Sequence, residues 1–233
     1  MNILAIDTSG PTCGVAVLSG DAVRYSAMVL NKRTHSVNLL PMIDAALTAS
    51  GLTLADMDRL ACVVGPGSFT GVRLGVSTLK GLAHGSGKPC AAVNALEALA
   101  AGAGDFVGLI CPIQDARAGQ VYGAAFRSGA VRPERLMEDT PIRLEDYAAQ
   151  LRTLGERFLF VGDGMPVHRG RLAELLGESA VFARPSLAFL NPAVVAELAA
   201  AVEAVDYLTL MPLYLRAPNA ERNKKLMEAA AHA

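Results

Sequence analysis

One stretch narrows the folds open to this chain: Val63 to Leu82, VVGPGSFTGVRLGVSTLKGL. Val63 and Val64 read as the buried end of a strand, and Gly65-Pro66-Gly67 breaks and turns the chain. From Ser68 the period becomes helical, with Val72, Val76, Leu79 and Ala83 recurring at spacings of three and four. Ser68 or Thr70 can cap the free amides of the first turn. A glycine turn feeding a helix N-terminus is an anion cradle, because free N–H groups and the helix dipole point the same way. Yet the glycines are spaced GxGxxxG rather than GxGxxG, and no Gly-Lys-Ser/Thr follows, so neither standard nucleotide fingerprint is present.

Gly67, Gly71 and Gly75 also fall four residues apart, in one row along the helix. Glycine inside a helix costs about 1 kcal/mol relative to alanine, so the row needs a reason. Either the helix packs closely on its own sheet, or another helix, a ligand or a second chain approaches its bare backbone. Spacing leaves both open.

Composition removes several function classes. Formal net charge is −1 and no long basic run occurs, so the footprint of a stand-alone nucleic-acid binder is missing. Hydrophobic residues make up 52% of the chain, enough for a substantial core. No apolar run approaches the ~20 residues of a membrane span, and the N-terminus lacks the basic lead of a signal peptide. Cys13, Cys62, Cys90 and Cys111 sit singly in apolar segments, which reads as buried thiols in a reducing cytosol. His35, His84, His168 and His232 show no HxxxH or HExxH spacing, so no stoichiometric metal is expected.

In chain order, strands are expected at Asn2–Ile6, Cys13–Leu18 and Ala22–Leu30, an antiparallel meander whose first turn is Asp7-Thr8-Ser9-Gly10. Asp7 is placed to orient magnesium or phosphate, or to stabilise its own turn by bonding the backbone two residues on. His35–Ser50 reads as a helix with Gly51 at the C′ position and Pro41 inside the pattern. It is apolar nearly all round, so one side packs on the sheet and the other needs a cover. After Leu60–Val64 and the glycine helix come a strand at Cys90–Val93 and a helix at Ala95–Ala101, and then a boundary at Ala101–Asp105. A second meander follows at Val107–Ile113, Gln120–Phe126 and Val131–Met137, with Asp115 matching Asp7 at the end of its leading strand. Strand, acidic turn and strand recur in the same order, which suggests two related halves. Helices are expected at Glu145–Leu154, Pro166–Leu176, Pro192–Val205 and Pro218–Ala231, with a strand at Phe158–Val161 and a last short apolar segment at Met211–Leu215.

The segments IDTSGPTCGVAV, VVGPGSFTGVRLG, VNALEALA, IQDARAGQVYGAAF and PLYLR together resemble the TsaB (YeaZ) family across nearly the whole chain. The resemblance implies an α/β fold of two ribonuclease-H-like halves, in the sugar-kinase/Hsp70/actin-like (ASKHA) superfamily. The expected units are residues 1–104 with the C-terminal helix 217–233, and a trimmed second unit over 105–216. It further implies the non-catalytic subunit of the complex that adds threonylcarbamoyl to the adenosine beside the anticodon. Its partners would be a TsaD-type catalytic homologue and a TsaE-type ATPase subunit, with a homodimer when alone and tRNA reached only through the complex. The catalytic homologue carries an HxxxH metal site on its first helix; here His35 is followed by Leu39, so that site cannot be built.

The resemblance also implies that two first-unit helices meet two from the homologue. The candidate contact residues are Leu39, Met42, Ile43 and Ala46 on the first helix, with Gly71, Val72, Gly75, Val76 and Leu79 on the second. A nucleotide, ATP or ADP in the assembled complex, would lie near Asp7, Thr8, Ser9, Asp115, Gly162 and Gly164. The isolated chain is expected to hold no cofactor. The alternative function is an ATP-dependent small-molecule kinase, which needs a catalytic Asp before a substrate pocket, with Asp115 or Asp163 as the candidates. A metallopeptidase is a third, disfavoured because a hydrolytic zinc needs about three protein ligands. Arg216, Arg222, Lys224 and Lys225 near the C-terminus are expected to be a solvated face rather than an RNA contact.

Overall fold

Both faces of the leading strand are apolar, so it must be covered on both sides. In the computed structural model, which describes residues 1–216 apart from Lys32, Ala118, Ala130 and Val131, that is what happens. β1 (Asn2–Asp7) sends Ile3 and Ala5 into one core and Leu4 and Ile6 into another. It pairs antiparallel with β2 (Cys13–Ser19), which pairs with β3 (Ala22–Val29), and parallel with β4 (Arg59–Gly65), which pairs with β5 (Cys90–Asn94). The sheet order is β3-β2-β1-β4-β5. Between these strands run α1 (His35–Ser50), α2 (Phe69–Ser86) and, after β5, α3 (Ala95–Gly102).

The second half repeats this path. β6 (Leu109–Asp115), β7 (Gln120–Arg127) and β8 (Glu134–Arg143) form the meander. Then come α4 (Leu144–Leu154), β9 (Phe158–Val161), α5 (Gly164–Leu176), β10 (Ala180–Phe182) and α6 (Pro192–Ala201). Its order, β10-β9-β6-β7-β8, matches the first sheet strand for strand. Asp7 and Asp115 are the last residues of β1 and β6, so the suspected repetition is real. The third strand of this meander lies later than expected, at Glu134–Arg143 rather than Val131–Met137, and β10 carries too few residues to signal itself.

The layers alternate. α1 and α2 cover the outer face of the first sheet, and α4 and α5 cover the outer face of the second. Between the sheets lie α3 and α6, whose Ala95, Ala98, Ala196 and Ala199 pack against Ala5, Ala61, Ala91, Ala124 and Phe126. Small side chains on both partners let the helices sit close to the strands.

α6, which falls within the expected second unit, packs on all five strands of the first sheet, β1 to β5. The helix expected to reach Val205 stops at Ala201, with Val202 extended at ψ 157°, because Val205 exchanges both backbone hydrogen bonds with Cys90 (2.8 and 2.9 Å). From there the chain, with the apolar segment Met211–Leu215, runs back over α2. The expected helix Pro218–Ala231 lies outside the described residues, as do Arg222, Lys224 and Lys225.

Candidate functional site

The glycine row is explained by the turn after β1. A Cβ on Gly67 would lie 2.3 Å from the Ser9 carbonyl oxygen, one on Gly71 2.0 Å from that of Thr8, and one on Gly75 2.6 Å from Thr8 Oγ1. Thr8 Oγ1 donates to the Gly71 carbonyl at 2.7 Å, and the Ser68 amide donates to the Ser9 carbonyl at 2.7 Å. Ser68 also caps α2 by accepting from the Gly71 amide. The bare helix backbone therefore seats the Asp7-Thr8-Ser9 turn, and close packing within the chain is the reason for the row.

Asp7 is 1% exposed, and its Oδ1 accepts from the Ser9 amide at 2.8 Å and from Ser9 Oγ at 2.7 Å. Burial raises its pKa above the usual carboxylate range, against the lowering effect of the two Ser9 hydrogen bonds. The turn-stabilising reading of Asp7 describes this geometry. Across the molecule, the Arg117 amide donates to Asp115 Oδ1 at 3.1 Å, the same two-residue turn. Here the carboxylate faces the cleft and meets His168 Nε2 at 3.2 Å.

Two buried oxygens beside Asp115 have no hydrogen-bond partner among the described residues: Gln114 Oε1 and Asp163 Oδ1. Burial pushes the Asp163 carboxyl up to about 6, with backbone hydrogen bonds opposing and the Asp115 charge reinforcing. Gly162, at φ 96°, presses against the Ile113 carbonyl, and a Cβ on Gly164 would lie 3.1 Å from the same oxygen. These two glycines bring Asp163 close to the end of β6.

A cleft of about 540 Å3 opens between the two turns, lined by Ser9, Gly67, Phe69, Gln114, Asp115, Arg117, Tyr122, Asp163, Tyr214 and Arg216 among others. Its rim is the returning chain. Leu213 donates to the Val64 carbonyl (2.7 Å), Tyr214 stacks on Phe69 at 4.8 Å, and Arg216 Nη1 reaches the Ala116 carbonyl (3.1 Å). Arg73 lies over Phe69 at 3.9 Å and donates from Nε to the Tyr214 hydroxyl at 2.7 Å. Of the six residues expected to surround a nucleotide, Ser9 and Asp115 line the cleft, Asp7 and Thr8 are buried in the turn after β1, and Gly162 and Gly164 sit in the turn between β9 and α5; the setting suits phosphate poorly. The Ser9 and Ser68 amides are engaged within the protein, and the opposite wall presents carboxylates and bare acceptor oxygens. Gln114, His168 and the Tyr214 strap escaped the sequence reading, because no local spacing announces them; Asp115 and Asp163 were visible as the acids of a kinase. Among the described residues no cluster of three or more metal-type ligands occurs.

The expected contact residues are placed inward. Leu39, Ile43, Ala46, Val72, Val76 and Leu79 are buried in the chain's own outer core, Gly71 and Gly75 are sealed by Thr8, and Met42 is half-buried. They are spent on the first sheet. What α1 shows to solvent includes Val37 (55% exposed), Leu40 (58%), Pro41, Ala45 and Ala49, interspersed with Ser36, Asp44 and Thr48. On α2, Ser77, Gly81 and Gly85 are exposed four residues apart, and Cβ atoms on these two glycines would meet nothing within 4 Å. His35 Nε2 is 3.0 Å from the Gly10 carbonyl, while Leu39, where a second histidine would complete HxxxH, points into the core.

A family model described as TsaD, tRNA N6-adenosine threonylcarbamoyltransferase, matches residues 29–233. The tRNA threonylcarbamoyladenosine biosynthesis protein TsaB of Bacillus subtilis is 36% identical over 221 residues, 95% of this chain and 96% of the relative. YeaZ from Pseudomonas aeruginosa has a TM-score of 0.79 at 27% identity, covering 92% of this chain and 99% of that one. A ROK hexokinase from Thermus thermophilus, at TM-score 0.51 and 14% identity over 85% of this chain and 99% of that one, shares the fold. Two matched sheets, their central helices and these relatives agree: the chain belongs to the TsaB (YeaZ) family, within the sugar-kinase/Hsp70/actin-like fold.

Proposed function

We propose that this chain works in tRNA threonylcarbamoyladenosine biosynthesis as a non-catalytic subunit that binds a TsaD-type homologue and holds it active, together with a TsaE-type ATPase. Nucleotide, as ATP or ADP, and tRNA enter with the assembled complex, and the chain alone forms a homodimer. The observation carrying this reading is the outer face of α1 and α2, where Val37 and Leu40 stand in solvent on α1 and Ser77, Gly81 and Gly85 form an open row on α2. Exposed apolar groups on one helix and small residues on the other suit the close approach of other helices. The family model described as the transferase matches residues 29–233, a range that includes α1 and α2, and on this reading the partner offers an equivalent helix pair. Two homologous chains can then meet face to face about a pseudo-twofold axis.

Leu40→Asp is expected to leave the melting temperature unchanged and to weaken association by about a hundredfold or more, as an unpaired carboxylate enters a dry contact. Val76→Glu, in the inner core, is expected to unfold the chain instead. Melting of each variant and sedimentation with and without the catalytic homologue check both. A folded Leu40→Asp that associates normally overturns the contact. Steady ATP turnover by the isolated chain favours the kinase reading.

A further inference from the structure

The cleft between the halves has a wall that asks for hydrogen-bond donors. Gln114 is 6% exposed, and its Oε1 is buried without a partner among the described residues. Asp163 Oδ1 is in the same condition, and Asp115 stands beside them with its other contacts on the rim, to His168 and the Arg117 amide. A buried acceptor left bare has given up its hydrogen bond to water without replacement, and the loss is greater when it is charged. Arg216 donates to the Ala116 carbonyl, and neither it nor Arg117 reaches these two oxygens. Closer to solvent the lining turns aromatic, with Phe69 and Tyr214 stacked and Tyr122 also lining the cleft.

We propose that this cleft binds a stemmed organic cation, a guanidinium or primary ammonium group whose head donates to Gln114 Oε1 and Asp163 Oδ1. The stem would run past Phe69 and Tyr214. A charge-assisted donor supplies the hydrogen bonds these oxygens lack and carries a charge opposite to those of Asp115 and Asp163. Rings beside the path favour a flat or alkyl-borne cation over a hydrated metal ion, and Arg73 over Phe69 already shows such a contact at the rim. At about 540 Å3 the cleft has the size of a small-ligand site. The inference stands apart from the proposed assembly role. The same chemistry arises from a free amine or from an arginine or lysine side chain of a partner.

The test is a titration of the full chain with agmatine, followed by NMR at the Gln114 side-chain amide, with N-butylurea as a neutral donor. Agmatine is expected to shift that resonance saturably, and N-butylurea to bind at least about tenfold more weakly. Asp163→Asn, which keeps the shape and removes the charge, is expected to weaken agmatine by about tenfold or more while the fold is retained. Gln114→Ala should act in the same direction. If that second variant fails to fold, Asp163→Asn decides alone. Repeating the titration on the complex with the catalytic homologue separates the sources. A cleft that still takes agmatine serves a free amine, and one closed to it is filled by a partner side chain. Absence of a saturable shift, equal affinity for the urea, unchanged affinity in Asp163→Asn, or preferential binding of inorganic triphosphate at these residues overturns the proposal.

Discussion

In the first half, the aspartate that ends the leading strand is sealed, with both Ser9 groups bonding its carboxylate and a row of glycines pressing the turn onto α2. In the second half the same backbone turn recurs at Asp115, but His168 meets the carboxylate from α5 and two neighbouring oxygens go unpartnered among the described residues. One chain path thus carries a closed turn and an open one. Satisfied polar groups rigidify a turn, whereas bare ones leave it responsive to whatever supplies a donor. Rigidity and receptivity are divided between the halves.

The largest break in this comparison comes from filling the glycine row. Gly71→Ala puts a Cβ against the Thr8 carbonyl, which is backbone and cannot swing aside. It is expected to cost about 3 kcal/mol or more. Gly164→Ala, where the nearest oxygen would be 3.1 Å away, is expected to cost less, about 1–2 kcal/mol. Denaturant melts of the two variants measure the difference. Equal costs would show that the first turn is no tighter than the second.

Next in size is the charge at Asp163. Its carboxyl sits at about 6, raised from 3.8, so the folded state holds the proton more tightly than the unfolded chain. That contribution to stability is complete below pH 3.8 and is lost as pH rises through about 6. Asp163→Asn is therefore expected to be more stable than the parent at pH 7, by about 1–3 kcal/mol, with the advantage vanishing near pH 4. Asp7, also raised, titrates in both proteins and cancels in the difference. Melts of both from pH 4 to 8 decide it; a constant gap across that range contradicts the assignment.

The smallest effect tests the strap that joins the halves. Tyr214→Ala removes the stack on Phe69 and the acceptor for Arg73 Nε, and is expected to cost about 1 kcal/mol. Hydrogen exchange should rise at Leu213, whose amide bonds Val64, while the sheet amides stay protected.

Much of this architecture was legible in local patterns. Alternating and continuous apolar runs marked most strands, and Gly51 ended its helix in the left-handed conformation at φ 69°. The acidic residue at each meander turn revealed the repetition. Helix sidedness was not legible in α1, whose residues are apolar nearly all round; only packing on the sheet selects Leu39, Ile43 and Ala46 over Val37 and Leu40. The inward turn of Gly67, Gly71 and Gly75 depended on Thr8, some sixty positions away, and no local period carries such information. Gln114 was hidden for the same reason, and Asp163, visible as an acid, gave no sign of its bare oxygen, because a missing partner is a property of the folded surroundings.

The return of α6 to the first sheet bears on how the protein is made. A ribosome releases β1 through α3 well before Pro192 emerges, and at that stage Ala5, Ala16, Ala61 and Ala91 lack the helix that later packs beside them. N-terminal segments usually fold first during synthesis, but here the earliest sheet must wait for nearly the last helix to complete its cover. A nascent or truncated chain ending near Gly104 carries an apolar sheet face open to its neighbours, the condition that favours aggregation. The fold thereby ties the maturation of its first half to the successful synthesis of its second.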